Sequence, residues 1–345
     1  VPGIQPTVSH IDHYVRGKTW IATTFAAEKV KERGEGLDNC KSPTLLHHYS
    51  TNTTQVYFTE EDIRTFKQSP EIYQRFRKDI ELELQSGHGV TMRGSVEQAG
   101  ALADFTEKMK TRLAKKPSVV DQLMPSFPPV CRRLTPGPGY LEALVAPNVD
   151  VISTPIREIV EDGIITEDGT HRQVDSIVCA TGFDTSFTSR YPVYGVNGVT
   201  LGERWKSVPE TYISVTTDGF PNYFAYLGPN SGVGTGNLLV LIEKMVDYFT
   251  ECAAKIQRDN VAAMSVKPES VRNFVRHCDK YFERTVFTMN CRSWYKGGTV
   301  DGRVSALWPG KSSIRTDILA GILILVSRFL VACHGNILAS AMGGL

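Results

Sequence analysis

Val174-Asp175-Ser176-Ile177-Val178-Cys179-Ala180-Thr181-Gly182-Phe183-Asp184 is an apolar run that closes on a small-residue step. A short run rich in β-branched residues and bounded by glycine predicts a buried strand. The Ala-Thr-Gly exit suits a place where backbone approaches a flat or phosphorylated group, and equally suits a plain glycine turn. The segment alone leaves both readings open. Its neighbours place it in a sheet whose strands alternate with helices, the mark of an α/β fold.

On the N-terminal side, Ile156 to Ile165 predicts a hairpin turning at Asp162-Gly163, and Val149 to Ile152 a short strand. Ser9 to Ile21 mixes β-branched, aromatic and polar residues as a strand and its exit loop do. Between them lies a block of helical period. Thr59-Glu60-Glu61-Asp62 predicts a capped helix start, and Ser69-Pro70-Glu71 a second one with proline in the first turn. Ile72, Phe76, Ile80 and Leu84 recur at steps of four, and another helix is expected over Ser95 to Lys115. Pro125, Pro128 and Pro129 close the block. On the C-terminal side, Tyr223 to Leu227 predicts a strand that enters the loop Gly228 to Asn237. Leu238, Leu241, Ile242, Met245 and Phe249 mark one side of a long helix; Val271, Phe274, Val275, Cys278 and Phe282 mark another.

The chain has 345 residues, a length for about two domains. Hydrophobic residues at 41% and charged residues at 22% describe an ordinary globular protein rather than a disordered one. A net charge of +1 gives no reason to expect nucleic acid or an anionic membrane as partner. The seven cysteines are dispersed without a C-x-x-C pair, which predicts reduced intracellular thiols and a cytoplasmic location. His10 and His13 have helix-compatible spacing in a strand-like stretch, so no metal site is expected. Val1 is not a start methionine, and no signal-peptide pattern follows it; the chain is expected to be a fragment.

Three further segments carry candidate chemistry. In Gly228-Pro229-Asn230-Ser231-Gly232-Val233-Gly234-Thr235-Gly236-Asn237, a glycine-rich loop enters a helix, where free N–H groups and the helix dipole favour an anion. It is neither a dinucleotide fingerprint, since Asn237 stands where the third glycine would be, nor a P-loop. The bland reading is a helix-capping turn. Arg132 and Arg133 read first as solvated cations, and Trp294 as an amphipathic packing residue.

Together these segments resemble the Baeyer–Villiger-type flavin monooxygenases, most closely fungal ones acting on ketones. The resemblance implies FAD and NADPH as cofactors, and a ketone and O₂ as substrates. It places Ala180, Thr181, Gly182, Phe183 and Asp184 on the strand returning to the FAD domain. Gly228, Pro229, Asn230, Ser231, Gly234 and Gly236 lie in the loop against FAD, although members often carry Pro-Val-Gly-His-Gly where Gly232 to Gly236 stand. Arg133 becomes the catalytic residue, a guanidinium that stabilises an anionic flavin peroxide and the adduct it forms. Arg132, Arg16 and Lys18 become ligands of the NADPH 2′-phosphate, and Trp294 a residue against the nicotinamide cofactor.

The implied fold is an incomplete flavoprotein with two dinucleotide-binding domains, Rossmann-like parallel sheets and an inserted helical subdomain. The expected division is 1–22 and 130–180 for the NADPH domain, 23–129 for the helical insertion and 181–310 for the FAD domain. Residues 311–345 form a divergent apolar tail. Neither glycine fingerprint of the family occurs in the chain, so weak FAD binding and no turnover alone are expected. The run from Ile318 to Cys333 raises a membrane anchor as an alternative, against which Arg328 counts. The rival functional readings are an N- or S-oxygenating flavin monooxygenase and a truncated, non-catalytic protein.

Overall fold

The computed structural model describes residues 1–22 and 58–311. The start of the expected helical insertion and the apolar run from Ile318 to Cys333 lie outside the described residues.

In chain order, strands β1 (Ile11–Tyr14) and β2 (Ile21–Ala22) precede helices α1 (Glu60–Gln68), α2 (Pro70–Ser86), α3 (Val96–Leu113) and α4 (Pro117–Leu123). Then come β3 (Thr135–Pro136), α5 (Tyr140–Leu144), β4 (Val149–Ile152), β5 (Ile156–Val160), β6 (Gly163–Thr166) and β7 (His171–Gln173). Helices α6 (Leu201–Arg204), α7 (Leu238–Arg258) and α8 (Pro268–Phe282) complete the order. The described residues fall into two compact units, 1–22 with 58–80, 97–129 and 134–183, and 81–96 with 130–133 and 184–311.

The first unit is α/β with parallel pairing. β1 runs parallel to β4, with Ile11 opposite Val149 and Tyr14 opposite Ile152, and β2 runs parallel to β3. Parallel strands need something on their faces, and α3, α4 and α5 supply it. Met109 and Leu113 of α3, Leu123 of α4 and Leu141 and Leu144 of α5 close on Trp20 and Val149. Each such side chain stabilises by roughly 1.5–3 kcal/mol when fully buried. Packing therefore outweighs helix propensity in fixing α3 and α4. At α1, the Thr59 hydroxyl accepts from Asp62 N–H while the Asp62 carboxylate accepts from Thr59 N–H, the reciprocal cap its sequence predicts. The α1 and α2 helices bury no residue, and Ile72 on the expected apolar face is 37% exposed.

Three expectations about strands need correction. Val174 to Asp184 forms no strand: Val178 is 81% exposed and Phe183 98%. Apolar composition does not make a strand without a neighbour to share its N–H and C=O groups; Val174 N–H donates to the Asp162 carbonyl, and beyond it no strand among the described residues pairs with the segment. Tyr223 to Leu227 is likewise irregular, because Asn222 and Leu227 at its ends have positive φ (58° and 54°) and break the extended run. The hairpin is real, but Val160 pairs directly with Gly163, so Glu161 and Asp162 make the turn and Gly163 already belongs to β6.

The second unit centres on α7 and α8. Asn237 caps α7, its side chain accepting from Leu239 N–H at 2.9 Å. The helix buries Leu241, Met245, Tyr248 and Cys252, and α8 buries Val271, Phe274, Cys278 and Phe282, spacings of three and four in both. Cys131 and Cys291, 160 residues apart, are joined by a disulfide. That corrects the expectation of uniformly reduced thiols: sequence spacing shows local pairs, and this pair is made by the fold. Among the described residues, no helix is long and apolar enough to cross a membrane.

Candidate functional site

Each unit carries candidate functional residues. In the first, the exit of β1 turns through Arg16-Gly17 and opens a cleft of about 180 Å³, lined by His13 to Gly17 and by Leu123 and Tyr140 among others. The His13 Nε2 and Tyr140 hydroxyl lie 2.9 Å apart. Burial lowers the His13 pKa from its usual value and raises that of Tyr140, so both stay neutral at physiological pH. Tyr14 also lines the cleft; its hydroxyl is buried with no hydrogen-bond partner among the described groups, in the field of Asp12 and Arg172. Arg16 stands exposed on the lining, the one permanent cation there among the described residues. Lys18 is not part of it, since its ammonium donates to the Asp121 carbonyl at 2.7 Å on α4. The cleft thus brings Arg16 forward and adds Tyr14, His13 and Tyr140, which no local sequence signal marks.

A second group in this unit was also invisible to spacing. His10, Asp12 and Asp150 converge because β1 and β4 pair in register. The Arg172 guanidinium lies among them, 2.9 Å from Asp12 and 3.3 Å from Asp150, and bridges the two carboxylates.

In the second unit the glycine-rich loop is tied down on both sides. Asn230, fully buried, accepts Ser214 Oγ at its carbonyl (2.6 Å), and its own N–H donates to Ser305 O (2.6 Å). Its side-chain amide donates to the Val304 and Leu307 carbonyls, both at 2.9 Å. Gly232 exchanges bonds with Ala306 and Trp308 at 2.7 Å, a short parallel bridge. A Cβ on Gly232 would meet Ala306 O at 2.8 Å, so this glycine serves close approach of two backbones. The Asn230 Oδ1, in contrast, is a buried acceptor that no described group fills.

Tyr295 adjoins this loop, since its carbonyl accepts from the N–H groups of Ser305 and Ala306, the segment that also binds Asn230 and Gly232; Arg133 is exposed, and its guanidinium acts on the Tyr295 hydroxyl. Burial pushes Tyr295 up to about 12 against the pull of Arg133, which leaves a neutral phenol as a fixed acceptor. Trp294, 37% exposed, packs at 4.8 Å against the Tyr295 ring. Arg132 is half-buried. The structure thus brings Arg133 and Trp294 to one place through Tyr295, a residue that sequence reading missed although it sits in the same motif. Ala180 to Asp184 are all exposed.

No family model matches the chain. The FAD-binding monooxygenase stcW of Emericella nidulans is 33% identical over 312 residues, which are 90% of this chain and 48% of that protein. A Baeyer-Villiger monooxygenase of Streptomyces coelicolor is 32% identical over 219 residues, 63% of this chain and 42% of that one. The chain is a partial-length homologue of the flavin-dependent monooxygenases. The architecture agrees: cyclohexanone monooxygenase from Rhodococcus bound to NADP+ superposes with a TM-score of 0.68 at 25% identity, over 94% of this chain and 62% of that one. The chain spans about half the length of the monooxygenase relatives named here.

Proposed function

We propose that these residues are part of an FAD- and NADPH-dependent monooxygenase of the Baeyer–Villiger type, with Arg133 at its oxygenation centre. The observation that carries the reading is the Arg133–Tyr295 pair: an exposed guanidinium, held by a buried neutral phenol, beside a half-exposed tryptophan. In this reading residues 1–22 and 130–180 belong to the nicotinamide-nucleotide side and 181–310 to the flavin side.

The residues present fit the two cofactors. Asn230 Oδ1 is a buried acceptor awaiting a donor, and the flavin ring carries an N–H. Arg16 on the cleft suits a phosphate, which a planar guanidinium binds through two donors. Bound flavin, reduced by NADPH, would supply the chemistry that passes one atom of O₂ to a ketone to give an ester or lactone. Arg133 would hold negative charge on the oxygen donor and on the former carbonyl oxygen of the substrate, and Tyr295 would keep the guanidinium aimed. Trp294 would face the nicotinamide cofactor, Arg132 its phosphates, and Ala180 to Asp184 and Gly228 to Gly236 the flavin.

The test is product analysis on the enzyme expressed with the coding sequence in frame upstream of Val1. Cyclic and linear ketones are expected to give lactones and esters with matching NADPH consumption. Arg133→Ala is expected to lower that oxygenation by about 10²-fold or more while NADPH still reduces the flavin. N-oxides from amines, formed equally well without the guanidinium, would instead establish the N-oxygenating reading.

A further inference from the structure

Two tethers join the same two segments of the second unit. One is the Cys131–Cys291 disulfide, with Cα atoms 6.4 Å apart; the other is the electrostatic contact between the Arg133 guanidinium and the Tyr295 hydroxyl. Cys131 is fully buried and Cys291 is 3% exposed, whereas Arg133, two residues on, faces solvent. Between Pro129 and Cys131, Val130 is held at φ 62°, a left-handed conformation that a β-branched residue does not adopt unaided. The covalent tether therefore holds a backbone that would otherwise relax. On the partner side the frame is rigid: Tyr295 N–H donates to Ser293 Oγ, Arg292 Nε donates to Gly298 O at 2.7 Å, and the Tyr295 carbonyl accepts from Ser305 and Ala306. Opening the disulfide frees residues 130–133, not the segment they dock on.

We propose that Cys131–Cys291 is a thiol–disulfide modification site that sets the order of the Arg132-Arg133 segment, closed by a peroxide and opened by a dithiol reductant. Closure is a two-electron oxidation. One thiolate attacks a peroxide oxygen, expelling hydroxide and forming a sulfenic acid; the second thiolate attacks that sulfur, forming the S–S bond and releasing another hydroxide. With the two thiol protons, hydrogen peroxide leaves as two waters. Opening runs through a mixed disulfide with the reductant, whose second thiol then completes the exchange. Both sulfurs are buried, so exchange passes through transient opening of residues 130–133. The consequence for oxygenation rests on the role of Arg133 proposed above; the switch itself does not.

The 345-residue chain tests it directly. Native protein is treated with hydrogen peroxide or with dithiothreitol, pulsed with trypsin, and mapped by mass spectrometry. After peroxide the cross-linked Cys131–Cys291 peptide pair is expected. Cleavage after Arg132 and Arg133 should then be at least about tenfold slower than in the reduced protein or in the Cys131→Ser/Cys291→Ser variant, because cleavage tracks the open population. Cleavage after Arg190, in an exposed loop of the same unit, should be unchanged. The proposal is overturned if no cross-linked pair forms, if both redox states cleave alike, or if Arg190 accelerates equally and the effect is general loosening. None of these readouts needs flavin, so their failure is distinct from failure of the monooxygenase reading.

Discussion

Two glycine-bearing segments looked alike in sequence and ended in opposite environments. The loop from Gly228 to Gly236 is pinned by hydrogen bonds to Thr211, Ser214 and the 304–308 strand-like segment, with Asn230 wholly buried. The segment from Val174 to Asp184 has no strand partner among the described residues and leaves Val178 and Phe183 in solvent. Both hold glycine among small residues, and both contribute to the resemblance to flavin monooxygenases. What separates them is supply: the loop finds hydrogen-bond partners along its length within its own unit, whereas the run from Val174 is paired at its first residue, through Asp162 O, and joins no strand beyond it among the described residues.

The largest effect is expected at the pinned loop. Asn230→Ala removes the donors to the Val304 and Leu307 carbonyls, leaving two buried acceptors unsatisfied, and should cost about 2–4 kcal/mol in urea unfolding. A loss under about 1 kcal/mol would mean that water replaces the amide and that the loop is less closed than it stands. Gly182→Ala should cost less, about 1 kcal/mol, since φ is +93° there but no atom lies within 4 Å of the added Cβ. Val178→Asp should change unfolding by no more than about 0.5 kcal/mol in this chain. A drop several times larger would show Val178 to be covered in solution, and the contrast between the segments would collapse.

How much of the site was legible follows the same line. Arg133, Trp294 and the Asn230 loop stand in local motifs, but residue type alone read the first two as a solvated cation and a packing residue, and only the family resemblance gave them a chemistry. Tyr295 stood in plain view beside Trp294, but nothing local tells which of two neighbouring aromatics turns inward to receive a guanidinium. Lys18 looked equivalent to Arg16 and is drawn off by the Asp121 carbonyl instead. The triad of His10, Asp12 and Asp150, and Arg172 among it, exists only because two strands distant in sequence pair in register.

The sequence by itself determined helices α1, α7 and α8, since their hydrogen bonds close within four residues and their caps and apolar spacing lie in one stretch of chain: Thr59 with Asp62, Asn237 at the head of α7, the three- and four-residue steps of α8. It also determined the likeness to flavin monooxygenases, which rests on residue types in order. Tertiary structure alone decided which apolar runs became strands, which cysteines met and which arginine came to lie at Tyr295. Those outcomes depend on groups brought together from far along the chain, and no local period records them.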